Sequence, residues 1–337
     1  MRAVIIGGVV STELLVQKLV EHGFSEVLVL GFEPDDTRNV SGWADLGKAA
    51  EYAGFDYAGF KQVRECELKI REYAPDILFA VGLSQIIPSS ILSIAKMANI
   101  GFHPTMLPKG RGRAALAWLI LEGQPGAATF FEMGADVDDG PIYVQEPYEV
   151  FDTDDVAAVE KRLLQAEANA LDSWLPQLKK VNLISAAQDV SKATWYGRRT
   201  PDDGCIDWGE ASEAVCRLIR ASAPPHPGAL TFCGDHQITC LAAEVSNRPE
   251  RGVVGRILKV FGDGSFEVQA GLGLVKILSW GAPEDWEPKV GALLGYYEQL
   301  EIYRLRAELG EVSSRLERLE ALLAGEVVTP KSIGSID

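Results

Sequence analysis

The sequence predicts an α/β protein with a doubly wound, mostly parallel sheet, followed by a small β-rich domain and a C-terminal helix. Apolar strand-like runs alternate with helical patterns over the first half of the 337 residues, and short β-rich runs separated by glycine and proline come next. An apolar seven-residue repeat follows them. We expect a Rossmann-like domain over 1–185, an OB-like domain over 190–288 and a coiled-coil helix over 293–325.

The first domain begins with a strand–helix–strand unit. AVIIGG (3–8) and EVLVLGF (26–32) are apolar and strand-like, while STELLVQKLVEHG between them has N-cap residues, helical apolar spacing and a terminal glycine. DILFAV predicts a strand that runs into Gly82, and a further strand from Asn99 to His103 follows a helical segment at 89–97. Because helices connect these strands, we expect the strands to pair in parallel.

The rest of the first domain is predicted to add two strands and a long helix. ATFFEM (128–133) and PIYVQEPYEV (141–150) flank the loop GADVDDG, and the helix is expected from about Asp154 to Lys180. Beyond about Lys192, glycines and prolines separate short runs such as LTFC, GRILKV and SFEVQA. Strands at such short spacing predict a small barrel.

The last segment has a helical apolar seam with a 3.5-residue period, which is typical of a short coiled coil. Charged residues flank this seam, so we expect a homodimer; the alternative is a single amphipathic helix packed against its own domain. The seam residues are Ile302, Leu305, Leu309, Val312, Leu316, Leu319 and Leu323.

Charge and composition disfavour several kinds of partner. The formal net charge is -16, with 48 acidic and 32 basic residues and no long basic run, which disfavours a nucleic-acid partner because phosphate contacts need clustered Lys and Arg. No apolar run reaches the length of a membrane span, and MRAVIIGG enters a strand directly, so we expect a cytoplasmic protein without a membrane partner. Five cysteines without a CxxC predict neither a disulfide framework nor a metal site.

The candidate site lies in NIGFHPTMLPKGRGRAALAW (99–118), because open parallel sheets bind ligands at the carboxyl ends of their strands. His103 ends a predicted strand, and Asp138 and Asp139 lie in a loop between two later strands, so a histidine and a carboxylate can converge at this edge. Taken singly, the histidine also fits a structural imidazole, and Asp-Asp-Gly also fits a plain turn.

Taken together, these motifs resemble those of the folate-dependent formyltransferases, which include methionyl-tRNA formyltransferase, glycinamide ribonucleotide transformylase and the sugar-nucleotide N-formyltransferases. HPTMLPKGRG is followed by the D-x-G-P-I motif at 138–142, and GLSQIIP (82–88) resembles the apolar loop on the folate side. RRTPDDGCIDW (198–208) and LIRASAPPHPGA (218–229) resemble the start of the barrel domain shared by the tRNA and sugar enzymes. The resemblance covers roughly residues 1–285.

The resemblance implies an enzyme that moves a formyl group from 10-formyltetrahydrofolate to a primary amine. It implies that His103 contacts the formyl oxygen or takes the amine proton, and that Asp138 orients the histidine and stabilises its charged form. It places the folate donor against Leu83, Ser84, Ile86, Val137 and Asp139.

One position departs from the family pattern, which usually has Asn-x-His with the amide as a donor to the oxyanion. Gly101 stands two residues before His103 here, and Asn99 stands four before it. Residues 99, 101 and 103 share one strand face, so Asn99 is the third catalytic candidate, beside a water, a backbone N–H or His103 alone. The departure also leaves open a 10-formyltetrahydrofolate hydrolase and a coiled-coil scaffold that only binds folate.

The acceptor is predicted to be a small molecule. In the tRNA enzymes a basic insertion typically follows the second strand, whereas EPDDTRNVSGWADLGKAAEYAG is acidic and compact here; the glycinamide ribonucleotide enzymes lack the barrel domain. A nucleotide-linked amino sugar is the remaining choice, with methionyl-tRNA as the alternative. We expect Lys109, Arg111 and Arg113 to meet its diphosphate or a carboxylate, and Gly8 and Ser11 to offer donors at a helix start. GGVVS lacks the G-x-G-x-x-G pattern, which argues against an NAD-dependent sugar dehydrogenase.

Overall fold

Two large sheets and one two-stranded sheet organise the described part of the protein. The computed structural model describes residues 1–37, 40–134, 136–181, 183–295 and 298–323, with side chains from residue 302 onward in the last range. A seven-stranded sheet precedes a five-stranded antiparallel sheet, and a long helix follows. The predicted fold class is therefore confirmed. Of the predicted segment 293–325, residues 296–297 and 324–325 lie outside the described ranges.

The first sheet is doubly wound, with strand order β3-β2-β1-β4-β5-β7-β8. Strands β1 to β5 run parallel to one another, and β7 is antiparallel to both β5 and β8. The elements are β1 (Arg2–Gly7), α1 (Val10–Glu21), β2 (Glu26–Phe32), α2 (Leu46–Ala53), β3 (Asp56–Phe60), α3 (Glu67–Tyr73), β4 (Ile77–Val81), α4 (Ser89–Leu92), β5 (Ala98–His103), β6 (Arg111–Gly112), α5 (Ala115–Glu122), β7 (Gly126–Glu132), β8 (Ile142–Tyr148) and α6 (Val156–Lys179).

Alternation along the strands gives the sheet two buried faces. In β1, Ala3 and Ile5 belong to the core under α1 and α6, whereas Val4 and Ile6 belong to the core that contains Ile70 of α3. This period of two is what a strand covered on both sides requires, and it explains why the strands are continuous apolar runs.

The local sequence explains where helix α6 begins and which of its faces is buried. The Asp155 carboxylate accepts the backbone N–H of Ala158 at 2.9 Å and caps the first turn. The apolar residues Val159, Leu163 and Ala170 then recur at helical spacing and are buried, so this face covers the sheet. The helical segment expected at 89–97 is shorter than predicted, since only Ser89–Leu92 is helical.

The second domain contains β9 (Trp195–Tyr196), α7 (Ser212–Ser222), β10 (Ala229–Cys233), β11 (His236–Ser246), β12 (Ile257–Val260), β13 (Phe266–Gln269) and β14 (Leu274–Gly281). Its sheet has the order β10-β11-β14-β13-β12. The segment 291–295 bridges the two edge strands, because the Ile257 N–H donates to Ala292 O at 2.9 Å and the Gly295 N–H donates to Phe232 O at 2.8 Å. Both edges are thereby protected, as a barrel-like sheet needs.

The last helix, α8 (Glu298–Leu323), stands apart from both sheets. Its described side chains from 302 to 320 are all exposed, including Leu309 at 66% and Leu316 at 56%. The helix therefore does not pack its apolar seam against its own domain. None of the helices within the described residues has the length and apolarity needed to cross a bilayer.

Candidate active site

His103 lies at the carboxyl end of β5 with its side chain nearly buried. Its Nε2 is 2.8 Å from the carbonyl oxygen of Gly110, and because a carbonyl only accepts, Nε2 carries a proton. Its Nδ1 is 3.5 Å from Oδ2 of Asp138. In the neutral ring, Nδ1 is thus the atom left to take a proton, and a carboxylate stands beside it. The structure brings the two principal predicted residues together.

Asp138 is held in an unusual backbone conformation. Its φ is 54°, in the left-handed region, and its Oδ2 accepts the backbone N–H of Gly112 at 2.9 Å. The amide of Gln188 donates to the backbone oxygens of Asp138 and Gly140 at 2.9 and 2.7 Å. The carboxylate therefore faces His103 because bonds from two separate segments fix its loop.

Hydrogen bonds hold the segment after His103, residues 104–112, at several points. The Thr105 hydroxyl donates to Lys109 O at 2.8 Å, and the Gly110 N–H donates to the Thr194 hydroxyl at 2.8 Å. Strand β6 then pairs in parallel with β9, with Arg111 opposite Trp195. These bonds fix the Gly110 carbonyl that orients the ring of His103.

The three predicted basic residues occupy different environments. Arg111 is only 4% exposed, and its Nη2 and Nε donate to Oε1 of Gln188 at 2.8 and 3.3 Å. Lys109 and Arg113 are exposed, and neither has a salt bridge to any residue that the structure describes. Of these three residues, Lys109 and Arg113 are therefore available to bind an anion, whereas the buried Arg111 is hydrogen-bonded to Gln188.

The β1–α1 turn uses its polar groups inside the fold. The Gly8 N–H donates to the Thr12 hydroxyl at 3.2 Å, and that hydroxyl donates to Val81 O at 2.7 Å. Ser11 is buried, as is Glu167, whose pKa is raised by complete burial and whose carboxylate oxygens have no hydrogen-bond partner among the described residues. The predicted contact from Gly8 thus has a competing partner within the protein, and Ser11 is only 6% exposed.

Asn99 lies near the start of β5, four residues or roughly 13 Å of strand from His103. Its Nδ2 donates to Leu92 O at 2.9 Å and satisfies a carbonyl at the end of α4, while its Oδ1 is buried without a hydrogen bond. The structure therefore does not bring Asn99 to the histidine–aspartate pair.

Packing explains why glycine stands at position 101. A Cβ on Gly101 would lie 2.7 Å from Cζ of Phe131 and 2.8 Å from Cγ of Met133. Both side chains come from the β7 end beside β5. The space from which the family asparagine would project is occupied here.

The loops that flank the strand ends expose apolar side chains. Ile86, in the loop after β4, is 84% exposed, and Val137, next to Asp138, is 56% exposed. Gln85 fastens the first loop, since its Oε1 accepts the Val63 N–H at 2.8 Å and its Nε2 donates to Lys61 O at 2.9 Å. Of the other predicted folate contacts, Ser84 is exposed, whereas Leu83 and Asp139 are half-buried.

Sequence reasoning missed the polar side chains that support the site. Thr129 is fully buried and donates to Thr105 O at 2.7 Å, while Gln145 donates to the Thr129 hydroxyl at 3.0 Å and to Leu107 O at 3.1 Å. A threonine inside the apolar strand ATFFEM was the available signal. Gln188 carried no signal, because it lies outside every motif. Among the described residues, no group of three or more His, Cys, Asp or Glu side chains is arranged to hold a metal ion.

The doubly wound sheet, the antiparallel domain and the paired His103 and Asp138 are compatible with the class of formyl group transferases, which the sequence comparison identifies. The chain belongs to the formyl transferase family: its sequence matches the formyl transferase domain over residues 5–175 and the formyl transferase C-terminal domain over 198–284. The predicted family and enzyme class are confirmed.

Three solved structures show the same fold at low identity. The N-formyltransferase from Helicobacter canadensis, in complex with folinic acid and dTDP-3-aminofucose, is 14% identical with a TM-score of 0.65, covering 83% of this chain and 100% of that one. WlaRD, a sugar 3N-formyl transferase with dTDP and 5-N-formyl-THF, is 15% identical with a TM-score of 0.63 over 85% and 99%. HypX from Aquifex aeolicus, in complex with tetrahydrofolic acid, is 18% identical with a TM-score of 0.60 over 86% of this chain, which spans only 46% of HypX.

Proposed function

We propose that the protein transfers a formyl group from 10-formyltetrahydrofolate to the primary amine of a nucleotide-linked amino sugar. The observation that carries this proposal is the His103–Asp138 pair, 3.5 Å apart at the carboxyl edge of the sheet in a chain of the formyl transferase family. The pair supplies a proton acceptor and a neighbouring negative charge where a substrate can enter.

In the proposed reaction, His103 transfers the proton and Asp138 stabilises the charge that forms on the ring. The donor supplies the formyl carbon, and the amine nitrogen that bonds to it must lose a proton. His103 takes this proton at Nδ1, because Nε2 is already committed to Gly110 O at 2.8 Å. Asp138 then stabilises the positive ring across 3.5 Å. The same ring returns the proton to the nitrogen of the departing folate, so it ends the cycle neutral.

The loops beside the pair fit a folate donor. Ile86 and Val137 are exposed apolar side chains on the two loops that border His103, and such exposure favours a ligand with an apolar face. Ser84 and Asp139 supply polar groups on the same loops. The folate molecules present in the three related structures support this choice of donor.

The acceptor side is cationic although the protein is strongly acidic. Lys109 and Arg113 flank the segment that holds His103, and both are exposed. A net charge of -16 repels anions in general, so two free cations beside the site favour a compact anionic substrate over a long polyanion such as tRNA. The dTDP and dTDP-3-aminofucose in two related structures agree with a diphosphate-linked sugar.

One assay tests the proposal. The purified protein is mixed with 10-formyltetrahydrofolate and a panel of nucleotide-linked amino sugars, and formylated sugar and tetrahydrofolate are measured separately by mass spectrometry and absorbance. An N-formyl sugar formed in step with tetrahydrofolate supports the proposal. Formate without formylated sugar would identify a hydrolase, formyl-methionyl-tRNA in a parallel reaction would identify the tRNA enzyme, and folate binding without turnover would identify a scaffold.

We also propose that the enzyme works as a homodimer in the cytoplasm and pairs through α8. The exposed seam includes Leu305, Val312 and Leu319, each 53 to 59% exposed, and burying such a seam is what drives coiled-coil association. Arg315 and Glu320 flank the seam with opposite charges, so a second copy offers complementary partners.

Removing residues 298–337 should weaken self-association and leave a folded enzyme, because α8 packs against neither sheet. Sedimentation velocity over a range of protein concentrations measures the association, and far-UV circular dichroism checks the fold. Leu309→Ala with Leu316→Ala is the matched full-length variant and should act in the same direction. Truncated protein that sediments like the full-length chain would show that α8 does not form the dimer.

A further inference from the structure

We propose that Gln188 is a positioning residue that holds Asp138 against His103, and that buried Arg111 fixes the orientation of the Gln188 amide. The role of the pair itself rests on the proposed function. Gln188 lies between α6 and β9, outside both segments that match the family, at 5–175 and 198–284.

The exposure pattern around Gln188 singles it out. Residues 184–187 and 189–192 are exposed, whereas Gln188 is half-buried. Two residues earlier, Ala186 exchanges both backbone hydrogen bonds with Ile142, each at 2.8 Å. This bridge attaches the segment to the end of the Asp138 loop and directs Gln188 toward it.

The Gln188 amide uses all of its main polar groups. Its Nε2 donates to Asp138 O at 2.9 Å and to Gly140 O at 2.7 Å, and its Oε1 accepts both bonds from Arg111. A guanidinium has only donors, so the amide must present its oxygen to Arg111 and both N–H groups to the carbonyls. The positive charge also polarises the amide and strengthens the two bonds to the loop.

The two hydrogen bonds from Gln188 Nε2 to Asp138 O and Gly140 O, here called the clamp, stabilise the conformation of the loop that carries Asp138. Asp138 has a φ of 54°, in the left-handed region that most non-glycine residues avoid, although aspartate enters it more readily than most. Its carbonyl and the Gly140 carbonyl are held by one side chain, two residues apart. Without this clamp we expect the loop to relax and the carboxylate to move away from Nδ1 of His103.

The same segment also controls the other side of His103. The Thr194 hydroxyl accepts the Gly110 N–H at 2.8 Å, and Gly110 O accepts from Nε2 of His103. Residues 186–195 therefore span from the loop that carries Asp138 to the carbonyl that orients the ring. The groups on both sides of the imidazole are therefore each supported by a hydrogen bond from this one segment.

Gln188→Glu is the sharpest test. It keeps the length of the side chain and the contact with Arg111, but it replaces the N–H donors with carboxylate oxygen that repels the two carbonyls. We expect kcat to fall roughly 10- to 100-fold, the scale of a displaced catalytic group, with little change in KM for either substrate. Gln188→Ala should lower kcat similarly. Gln177→Glu, on the exposed surface of α6, is the matched control.

A double-mutant cycle separates positioning from general destabilisation. If Gln188 acts through Asp138, then Asp138→Asn combined with Gln188→Glu should be no slower than Asp138→Asn alone. The pH profile of kcat should also shift in the same direction in both single variants. Multiplicative losses in the double variant, or an unshifted pH profile, would overturn the proposal.

The side-chain ¹⁵N resonances of His103 give a readout that needs no substrate, so they test Gln188 even if the proposed reaction is wrong. The chain has four histidines, and His103→Gln assigns the signal. We expect Gln188→Glu and Asp138→Asn to shift the Nδ1 resonance and Gln177→Glu to leave it in place. A His103 resonance unchanged in Gln188→Glu would show that the clamp does not position the pair.

Discussion

The two ends of strand β5 carry one polar residue each, and they are used differently. At the start, the Asn99 amide donates to Leu92 O at 2.9 Å and closes the end of α4. At the end, the ring of His103 lies between Gly110 O and Asp138, both of which belong to loops. Asn99 makes a structural hydrogen bond between β5 and α4, whereas His103 is surrounded by groups from loops that other parts of the chain hold in place.

The difference shows where a parallel sheet supports chemistry. The carboxyl end of β5 opens onto loops that can be shaped independently of the core, so a histidine there can meet a carboxylate 35 residues away in sequence. The start of β5 is enclosed by α4 and by Glu132, whose carboxylate accepts the Asn99 N–H at 3.1 Å. A polar side chain at that end is already committed to local bonds.

The largest expected effect comes from breaking the pair at the carboxyl end. His103→Gln or Asp138→Asn should lower turnover by roughly 100-fold or more, since each removes a group that moves or stabilises the transferred proton. Asparagine tolerates the left-handed backbone that Asp138 adopts, so this variant should fold normally. Steady-state kinetics with each substrate measure the loss, and the affinity for folate should change less.

The matched control for this prediction is a surface histidine–aspartate pair in the antiparallel domain, formed by His236 and Asp285. His236 Nε2 lies 3.2 Å from Asp285 Oδ2 on the surface of the antiparallel domain. His236→Gln should leave turnover unchanged. If it lowered turnover as much as His103→Gln, the site would have to be sought in the second domain.

The fold was predictable because its signals are local. Continuous apolar runs alternate with helical spacing along the first domain, and the glycine- and proline-punctuated runs after Lys192 become the strands of the second sheet. The predicted helix at 89–97 was too long, because the turn after Leu92 is closed by the Asn99 side chain from a strand further along the chain. A bond of that kind leaves no pattern in the helix itself.

The site was predictable only as far as its motifs reach. His103 and Asp138 lie in motifs, and the structure brings them together. Arg111 lies in a motif too, yet its guanidinium turns inward to Gln188, a residue 77 positions away that no pattern identifies. Sequence patterns indicate which residue types are present, whereas tertiary packing determines which cation faces the solvent and which is buried.

Gly101→Asn tests the middle of strand β5, between Asn99 and His103. It places an asparagine amide at the position where the family usually has one. The Phe131 ring and the Met133 side chain occupy the required space, so we expect a loss of stability of about 1–3 kcal/mol and no gain in turnover. Urea denaturation and steady-state kinetics measure the two quantities. Gly281→Ala, at a strand glycine with no atom near the added Cβ, is the control and should be nearly neutral. A faster Gly101→Asn enzyme would mean that the pocket opens readily and that an oxyanion donor is the missing group.

The smallest effect on turnover is expected from Asn99→Ala. Removing the amide deletes the bond to Leu92 O, which is worth about 1 kcal/mol, but it also removes a buried Oδ1 that has no hydrogen bond, so the net loss of stability should be small. Turnover should stay close to that of the unmodified protein, because roughly 13 Å of strand separates this residue from His103. Asn99→Leu, which keeps the number and branching of the side-chain heavy atoms and removes all polarity, separates packing from hydrogen bonding in the same denaturation series. A turnover loss near that of His103→Gln, in a variant with unchanged stability, would contradict the structural role and make Asn99 part of the reaction through a rearrangement of β5.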